Sequence, residues 1–172
     1  MINKILKLFL SPRGRIGRQT FILCFLGWLA FYLLQSFWFK KTGNNLFNFF
    51  LSLTLLFINV QIIFSIYGKR LHDLGRSVRP VIAIFILMII GGIVLMLNFG
   101  GLEYFDTVYQ NPDIVEDETA MRQLTETYQQ SVKDNLPQIR LILAVIPLLF
   151  TFWLAAKPGK NQANQYGDPI SA

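Results

Sequence analysis

Four predominantly apolar stretches of this chain run almost without charge: residues 21–39, 46–67, 81–99 and 139–156, of 19, 22, 19 and 18 residues. The first three hold no charged residue, and the fourth holds only Arg140, near its start. A bilayer core of about 30 Å takes about 20 helical residues at a rise of about 1.5 Å each. Helices of soluble proteins keep their apolar residues on one stripe, whereas these runs are apolar on every face. The pattern therefore predicts four membrane-spanning helices, with Arg140 snorkelling to the interface. The first run exceeds the apolar length of about 7–15 residues usual for a signal peptide. Lys40-Lys41-Thr42-Gly43 after it offers no small-x-small cleavage pattern, so it reads as a retained span.

The segments around the spans predict further helices. In "MINKILKLFL", Ile2, Ile5, Leu6 and Phe9 share one helical face with Lys4 and Lys7 elsewhere, the pattern of a short helix in the headgroup layer. A frayed basic tail is the plainer alternative, and Ser11-Pro12 ends either. The connection 100–138 is too long for a structureless turn. From Ile114 it reads as helix, with Asp113 and Glu116 as a capping box and Pro137 as its stop. Met121, Leu124, Tyr128 and Val132 form its apolar stripe, expected to rest on the protein's own bundle, with a partner as the alternative. Asn59 and Gln61 fall near the middle of the second run, where amides usually bond a neighbouring helix. A transport pathway is the other use for them, but no acid or base lies deep in any run, as proton and ion relays require. Gly91-Gly92 predicts a close helix contact and Pro147 a kink. The expected fold is all-α: one domain over residues 1–172, an integral membrane four-helix bundle with a short N-terminal interfacial helix and a helical acidic outer loop.

Charge fixes the expected orientation. Hydrophobic residues make up 53% of the chain and charged ones 15%, against about 25% charged in soluble domains. The net charge of +6 is unevenly placed. Lys4, Lys7, Arg13, Arg15, Arg18, Lys69, Arg70, Arg76, Arg79, Lys157 and Lys160 fall on one side of the predicted membrane. Lys40, Lys41, Arg122 and Lys133 fall on the other, together with eight of the ten acids. The positive-inside rule then places both termini and the opening stretch in the cytoplasm. The basicity reads as topology plus attraction to anionic lipid, and no basic soluble domain exists to bind nucleic acid. Cys24 is the single cysteine, so there is no intrachain disulfide.

Candidate chemistry concentrates in "GKRLHDLGRSVRP", residues 68–80, which holds the only histidine. Adjacent helical residues point about 100° apart, so His72 and Asp73 do not orient each other as a base and its partner do. With no second histidine, a metal site is not expected, and Ser77 has no evident activating base. The plain reading is a helix end and turn: His72 and Asp73 capping, Gly75 in a left-handed bend, Pro80 opening the next span. The tail "KPGKNQANQYGDPI" carries turn formers at Pro158-Gly159 and at Gly167-Asp168-Pro169. With Tyr166 it folds back against the 68–80 loop or leaves as an unstructured exit.

"GRIGRQTF", "KRLHDLGRS" and "KPGKNQANQYGDP", in this order, resemble the DUF805 family, small bacterial inner-membrane proteins of unknown function. The matching positions are Gly14, Arg15 and Arg18; Arg70, Leu71, His72, Asp73, Gly75 and Ser77; and Pro158, Gly159, Asn164, Tyr166, Gly167 and Pro169. The chain departs from the family pattern at Val78-Arg79-Pro80, where Gly-Trp is usual, and in its longer outer loop. The resemblance implies no activity, but it marks three segments that topology puts on one cytoplasmic face. If they meet, Arg15, Arg18, Arg70 and Arg76 suit a phosphate, with His72 tuning the patch and Asp73, Gly75 and Tyr166 supporting it. The expected ligand is an anionic lipid headgroup. A membrane-protein partner or a second copy is the alternative occupant. No catalytic residue, metal or cofactor is expected. A small transporter or transporter subunit, and then a lipid-acting enzyme, are the runner-up readings.

Overall fold

The computed structural model describes residues 2–43 and 45–168, with side chains from residue 6 onward. Apart from one isolated bridge in the tail, regular structure among these residues is helical. The helices are α1 (Ile2–Leu10), α2 (Arg18–Thr42), α3 (Leu46–Asp73), α4 (Arg79–Met96), α5 (Leu102–Gln110) and α6 (Glu118–Ala156). A π-helical turn, Leu97–Gly101, joins α4 to α5, and a 3-10 turn, Pro112–Val115, precedes α6. Each predicted apolar run lies on one long helix, though 81–99 enters the π turn. Only 6% to 17% of the most apolar stretch of each long helix is buried inside the protein. Leu23, Leu34, Phe37, Phe57, Leu149 and Phe152 stand largely exposed. Apolar surface on that scale needs lipid rather than water against it. The chain is an all-α, multi-pass membrane protein.

Two compact units form, one from Met1–Ile82 with Phe150–Ala172 and the other from Ala83–Leu149. In the first, α2 and α3 make a hairpin. The Asn45 side chain caps α3 by accepting from Asn48 N at 2.8 Å. The Asn48 amide in turn donates to Thr42 Oγ1 and to the Gly43 carbonyl, at 2.8 and 2.7 Å, fastening the turn between the helices. Deeper in the pair, Trp28 Nε1 donates to Asn59 Oδ1 at 2.8 Å and Asn59 Nδ2 donates to Gln35 Oε1 at 2.9 Å. Asn59 thus has the interhelical partners that a membrane amide seeks. Gln61 reaches a different element: its amide donates to the Leu10 carbonyl at 2.7 Å. Eight residues along the same helix, the Lys69 ammonium donates to the carbonyls of Lys7 and Leu8 at 2.6 and 2.7 Å. The last carbonyls of α1 have no helical donors, and a cation at a helix C-terminus is the favourable complement. These bonds hold α1 on α3.

The second unit departs from the sequence expectation in its connection. Gly100, at φ 110, breaks the π turn, and α5 follows directly. The helix after it is not capped by Asp113. That residue lies in the 3-10 turn, and Asp117 Oδ1 accepts from Thr119 N and Ala120 N at 2.9 and 3.1 Å. Nor does Pro137 stop it, because α6 runs for 39 residues through both Pro137 and Pro147. The carbonyl left without its donor at Pro137 belongs to Lys133, an exposed residue, where the lost bond costs less than it would in a buried helix. Met121, Leu124, Tyr128 and Val132 are half-buried, and the Tyr128 ring lies 5.5 Å from that of Tyr104 on α5. Gly91 makes a close contact, since a Cβ there would meet Leu143 at 3.4 Å, whereas Gly92 faces open space.

Candidate functional site

The best-packed part of the first unit is the C-terminal end of α3, where every residue from Ser65 to Leu74 is buried. Ile66, Leu71 and Leu74 pack there with Ile16, Phe21, Val81 and Leu154 as the apolar core. Polar side chains emerge from the same helical turns. Arg70 is fully buried and Asp73 nearly so, three residues apart on one face, and their side chains form an ion pair. Asp73 also takes a fork from Arg15: Nε and Nη2 both donate to Oδ1, at 3.2 and 3.1 Å. The Arg15 side chain is itself only 2% exposed. One carboxylate thus holds two buried guanidinium groups, one from its own helix and one from 58 residues before it.

Each arginine then ties down backbone. Arg70 Nε donates to the Leu154 carbonyl at 3.0 Å, and Nη2 donates to that of Lys157. These carbonyls close the C-terminus of α6, so Arg70 is its cap. Arg15 donates to the carbonyls of Lys160, Gln162 and Gly167 at 2.5, 3.0 and 3.1 Å, which gathers the tail around one side chain. Lys160 N donates to the Asp73 carbonyl at 3.0 Å. Gly159 passes so close that a Cβ on it would lie 2.1 Å from Asp73 Oδ2, so no other residue fits there undisturbed. Gly75, at φ 69, makes the left-handed turn that brings the chain back toward α4.

His72 completes the junction on the neighbouring face. Its Nδ1 lies 3.1 Å from the Gly14 carbonyl, and because a carbonyl only accepts, Nδ1 carries the proton. Its ring stacks on Tyr166 at a centroid distance of 3.7 Å and an angle of 7°. Asn164 Nδ2 donates to the His72 carbonyl at 3.0 Å, while its backbone pairs with Gly167 at 3.1 and 3.0 Å and Tyr166 N donates to its Oδ1 at 2.9 Å. The tail is therefore a small knot pinned over the end of α3. His72 and Asp73 have separate sets of partners, as adjacent helical residues must.

Of the residues picked out by sequence, the fold brings together Arg15, Arg70, His72, Asp73, Gly75 and Tyr166. Arg18 and Arg76 are exposed outside the buried cluster. The Arg76 guanidinium lies 5.1 Å from the centre of the Trp153 ring, and the Lys157 ammonium 5.4 Å from it. Sequence reasoning passed over Trp153 and gave Lys69 and Lys160 no role beyond the charge that sets orientation. A tryptophan at the end of an apolar run and four residues before a lysine was the available signal for the first. Nothing local marks the others. Among the family-like positions, Pro169 lies outside the described residues.

Neither the curated proteins nor the solved structures contain a match to this chain. The model of one family, described as a protein of unknown function (DUF805), matches residues 9–103, which take in the Arg15 segment and the whole Arg70–Asp73 turn. That is more than half of the 172 residues, and the chain belongs to the DUF805 family.

Proposed function

We propose that this is a non-catalytic protein of the bacterial inner membrane, with both termini in the cytoplasm, that binds anionic lipid headgroups through the surface around Trp153. The pairing of Arg76 and Lys157 on one indole is the observation that carries this reading. Both cations are exposed, and each follows the end of a long apolar helix: Arg76 in the loop after α3, Lys157 where α6 gives way to the tail. A tryptophan flanked by cations is the side-chain set that suits a membrane–water boundary. An arginine brings a planar fork to phosphate oxygens and a lysine a compact charge.

The buried cluster has a different part in this reading. Arg15 and Arg70 are engaged with Asp73 and with five carbonyls, so their donors serve the fold. By fixing the tail, they hold Lys157 next to Arg76 before any ligand arrives. Preorganisation of this kind lowers the ordering cost of binding. Arg13, Arg18, Arg79 and Lys160 are exposed and add cationic field around the site. The excess of basic residues on the termini and the 68–80 loop supports the cytoplasmic assignment through the positive-inside rule.

Native mass spectrometry of protein released gently from its own membrane tests the proposal. The wild type is expected to retain phosphate-bearing lipid, and Arg76→Gln/Lys157→Gln is expected to lose it while unfolding at an unchanged temperature. Equal retention by the two proteins would sink the assignment. A bare wild type would do the same.

A further inference from the structure

We propose that α5 is an interfacial helix that seats Leu102, Phe105 and Tyr109 in the headgroup layer of a lipid surface, with a preference for zwitterionic lipid carrying an ammonium group.

Length places α5 at that depth. α4 has 18 residues, and at about 1.5 Å each they span roughly 27 Å, nearly the whole of a hydrocarbon core of about 30 Å. The helix is broken immediately afterwards, where Phe99 leaves helical geometry and Gly100 takes φ 110. α5 begins two residues later, where the core ends. Exposed Ile89, Ile90, Ile93, Val94 and Met96 on the last turns of α4 face lipid, so the surface of α5 continues an existing membrane contact.

The faces of α5 then sort by environment. Tyr104, Thr107 and Val108 are half-buried, and the Tyr104 ring meets Tyr128 of α6. Leu102, Phe105 and Tyr109 share a second face and are 60%, 60% and 85% exposed. Glu103, Asp106 and Gln110 occupy a third, also exposed. At 100° per residue, the aromatic face is centred roughly 100° from the acidic one. A helix with one side on protein, one apolar side and one charged side fits the boundary of a bilayer, its apolar side toward the acyl chains and its charge toward water. In a helix lying wholly in water, nothing would compensate an aromatic as exposed as Tyr109 beside two further apolar residues. The sign of the charge selects the lipid. Glu103 and Asp106, which line a shallow depression with the aromatic pair, repel anionic headgroups and attract ammonium ones, which also favour aromatic faces.

Spin labelling of the full chain in phosphatidylcholine vesicles tests this. Single cysteines replace Phe105, Tyr109 and Glu103 in turn, in a Cys24→Ser background, with circular dichroism confirming the helix content. Labels at 105 and 109 are expected to be several-fold more accessible to oxygen than to a water-soluble nickel chelate, and the label at 103 is expected to show the reverse order. Replacing part of the phosphatidylcholine with phosphatidylglycerol at low ionic strength is expected to move 105 and 109 toward the chelate. Chelate preference at all three positions would overturn the proposal. So would dipolar broadening at 105 and 109, which would give this face to a second copy. An oxygen preference indifferent to phosphatidylglycerol would overturn the ammonium selectivity. Because these positions lie far along the chain from Arg76 and Lys157, the result is independent of the lipid-retention test.

Discussion

Asp73→Asn removes one charge from a cluster in which two buried guanidinium groups face a single carboxylate. The carboxylate accepts two bonds from Arg15 on one oxygen and one from Arg70 on the other. Asparagine offers one oxygen, and its NH2 must face whichever guanidinium that oxygen does not serve. Both cations have side chains no more than 2% exposed, so water cannot replace the lost partner without opening the junction. Breaking a buried pair by removing one partner costs about 3–5 kcal/mol. The three lost or weakened charge-assisted bonds, at about 1.5–3 kcal/mol each, overlap with that figure and do not add to it.

The spans do not depend on the cluster, so the cost falls on the junction. The tail should detach while the helices persist, with the open fraction rising by roughly two to three and a half orders of magnitude, at 1.4 kcal/mol per tenfold. Hydrogen exchange in lipid nanodiscs reads this directly. Lys160 N, which donates to the Asp73 carbonyl, and Asn164 N and Gly167 N, which close the tail knot, should lose protection together. Amides in the middle of α2 and α3 should not change. The Arg15→Gln/Asp73→Asn double variant should regain part of the loss, because it leaves one buried cation fewer. Protection in Asp73→Asn within about 0.5 kcal/mol of wild type, the range of an ordinary surface substitution, would refute the cluster as the tail's anchor.

Gly159→Ala should release the same three amides, because its Cβ would fall 2.1 Å from Asp73 Oδ2. Gly167→Ala meets no neighbour and bears only the backbone strain of φ 130, about 1–3 kcal/mol, so its exchange should change less than that of Gly159→Ala. Lys69→Met leaves the Lys7 and Leu8 carbonyls without their donor, and a spin label at position 6 should become markedly more mobile than in wild type. Unchanged mobility would show that Gln61 alone holds α1. Asn59→Leu deprives the Trp28 indole of its acceptor within the membrane, which should cost about 0.6–1.7 kcal/mol in a steric-trapping or denaturant assay. No loss there would mean that the α2–α3 contact rests on apolar packing.

The spans were legible because bilayer thickness imposes length and composition on any helix that crosses it, and no other constraint yields four such runs. The Gly75 bend was legible for a similarly local reason. The fate of each arginine was not. Arg15, Arg18, Arg70 and Arg76 look alike in sequence, and the distinction between them is made by the end of α6 and the tail, 84 to 152 residues away, which supply carbonyls to Arg15 and Arg70. Pro137 misled because its local rule is strictest where the orphaned carbonyl is buried, whereas Lys133 is an exposed residue. The cap at Asp117 lost to Asp113 in the reading because the capping-box pattern fitted the earlier position, whereas Pro112 starts a 3-10 turn that consumes it.

A buried triad of two arginines and one aspartate is a poor means of adding stability. Desolvation of three charges cancels much of their attraction, and well-packed apolar residues of similar volume often do as well or better. What apolar packing would not supply is a unique register. Asp73 accepts only where two guanidinium groups can both reach it, and those groups then bond only to carbonyls at defined places, from Leu154 through Gly167. Slippage of the tail by one residue would leave buried donors unmatched. On this argument the cluster is there to specify position, and the position it specifies is that of Lys157 beside Arg76 on Trp153. Replacing Arg15, Arg70 and Asp73 together with apolar residues separates the two roles. If register is the purpose, the triple variant unfolds at or above the wild-type temperature yet loses phospholipid retention. Retention at wild-type level in a stable triple variant would leave the cluster without that purpose.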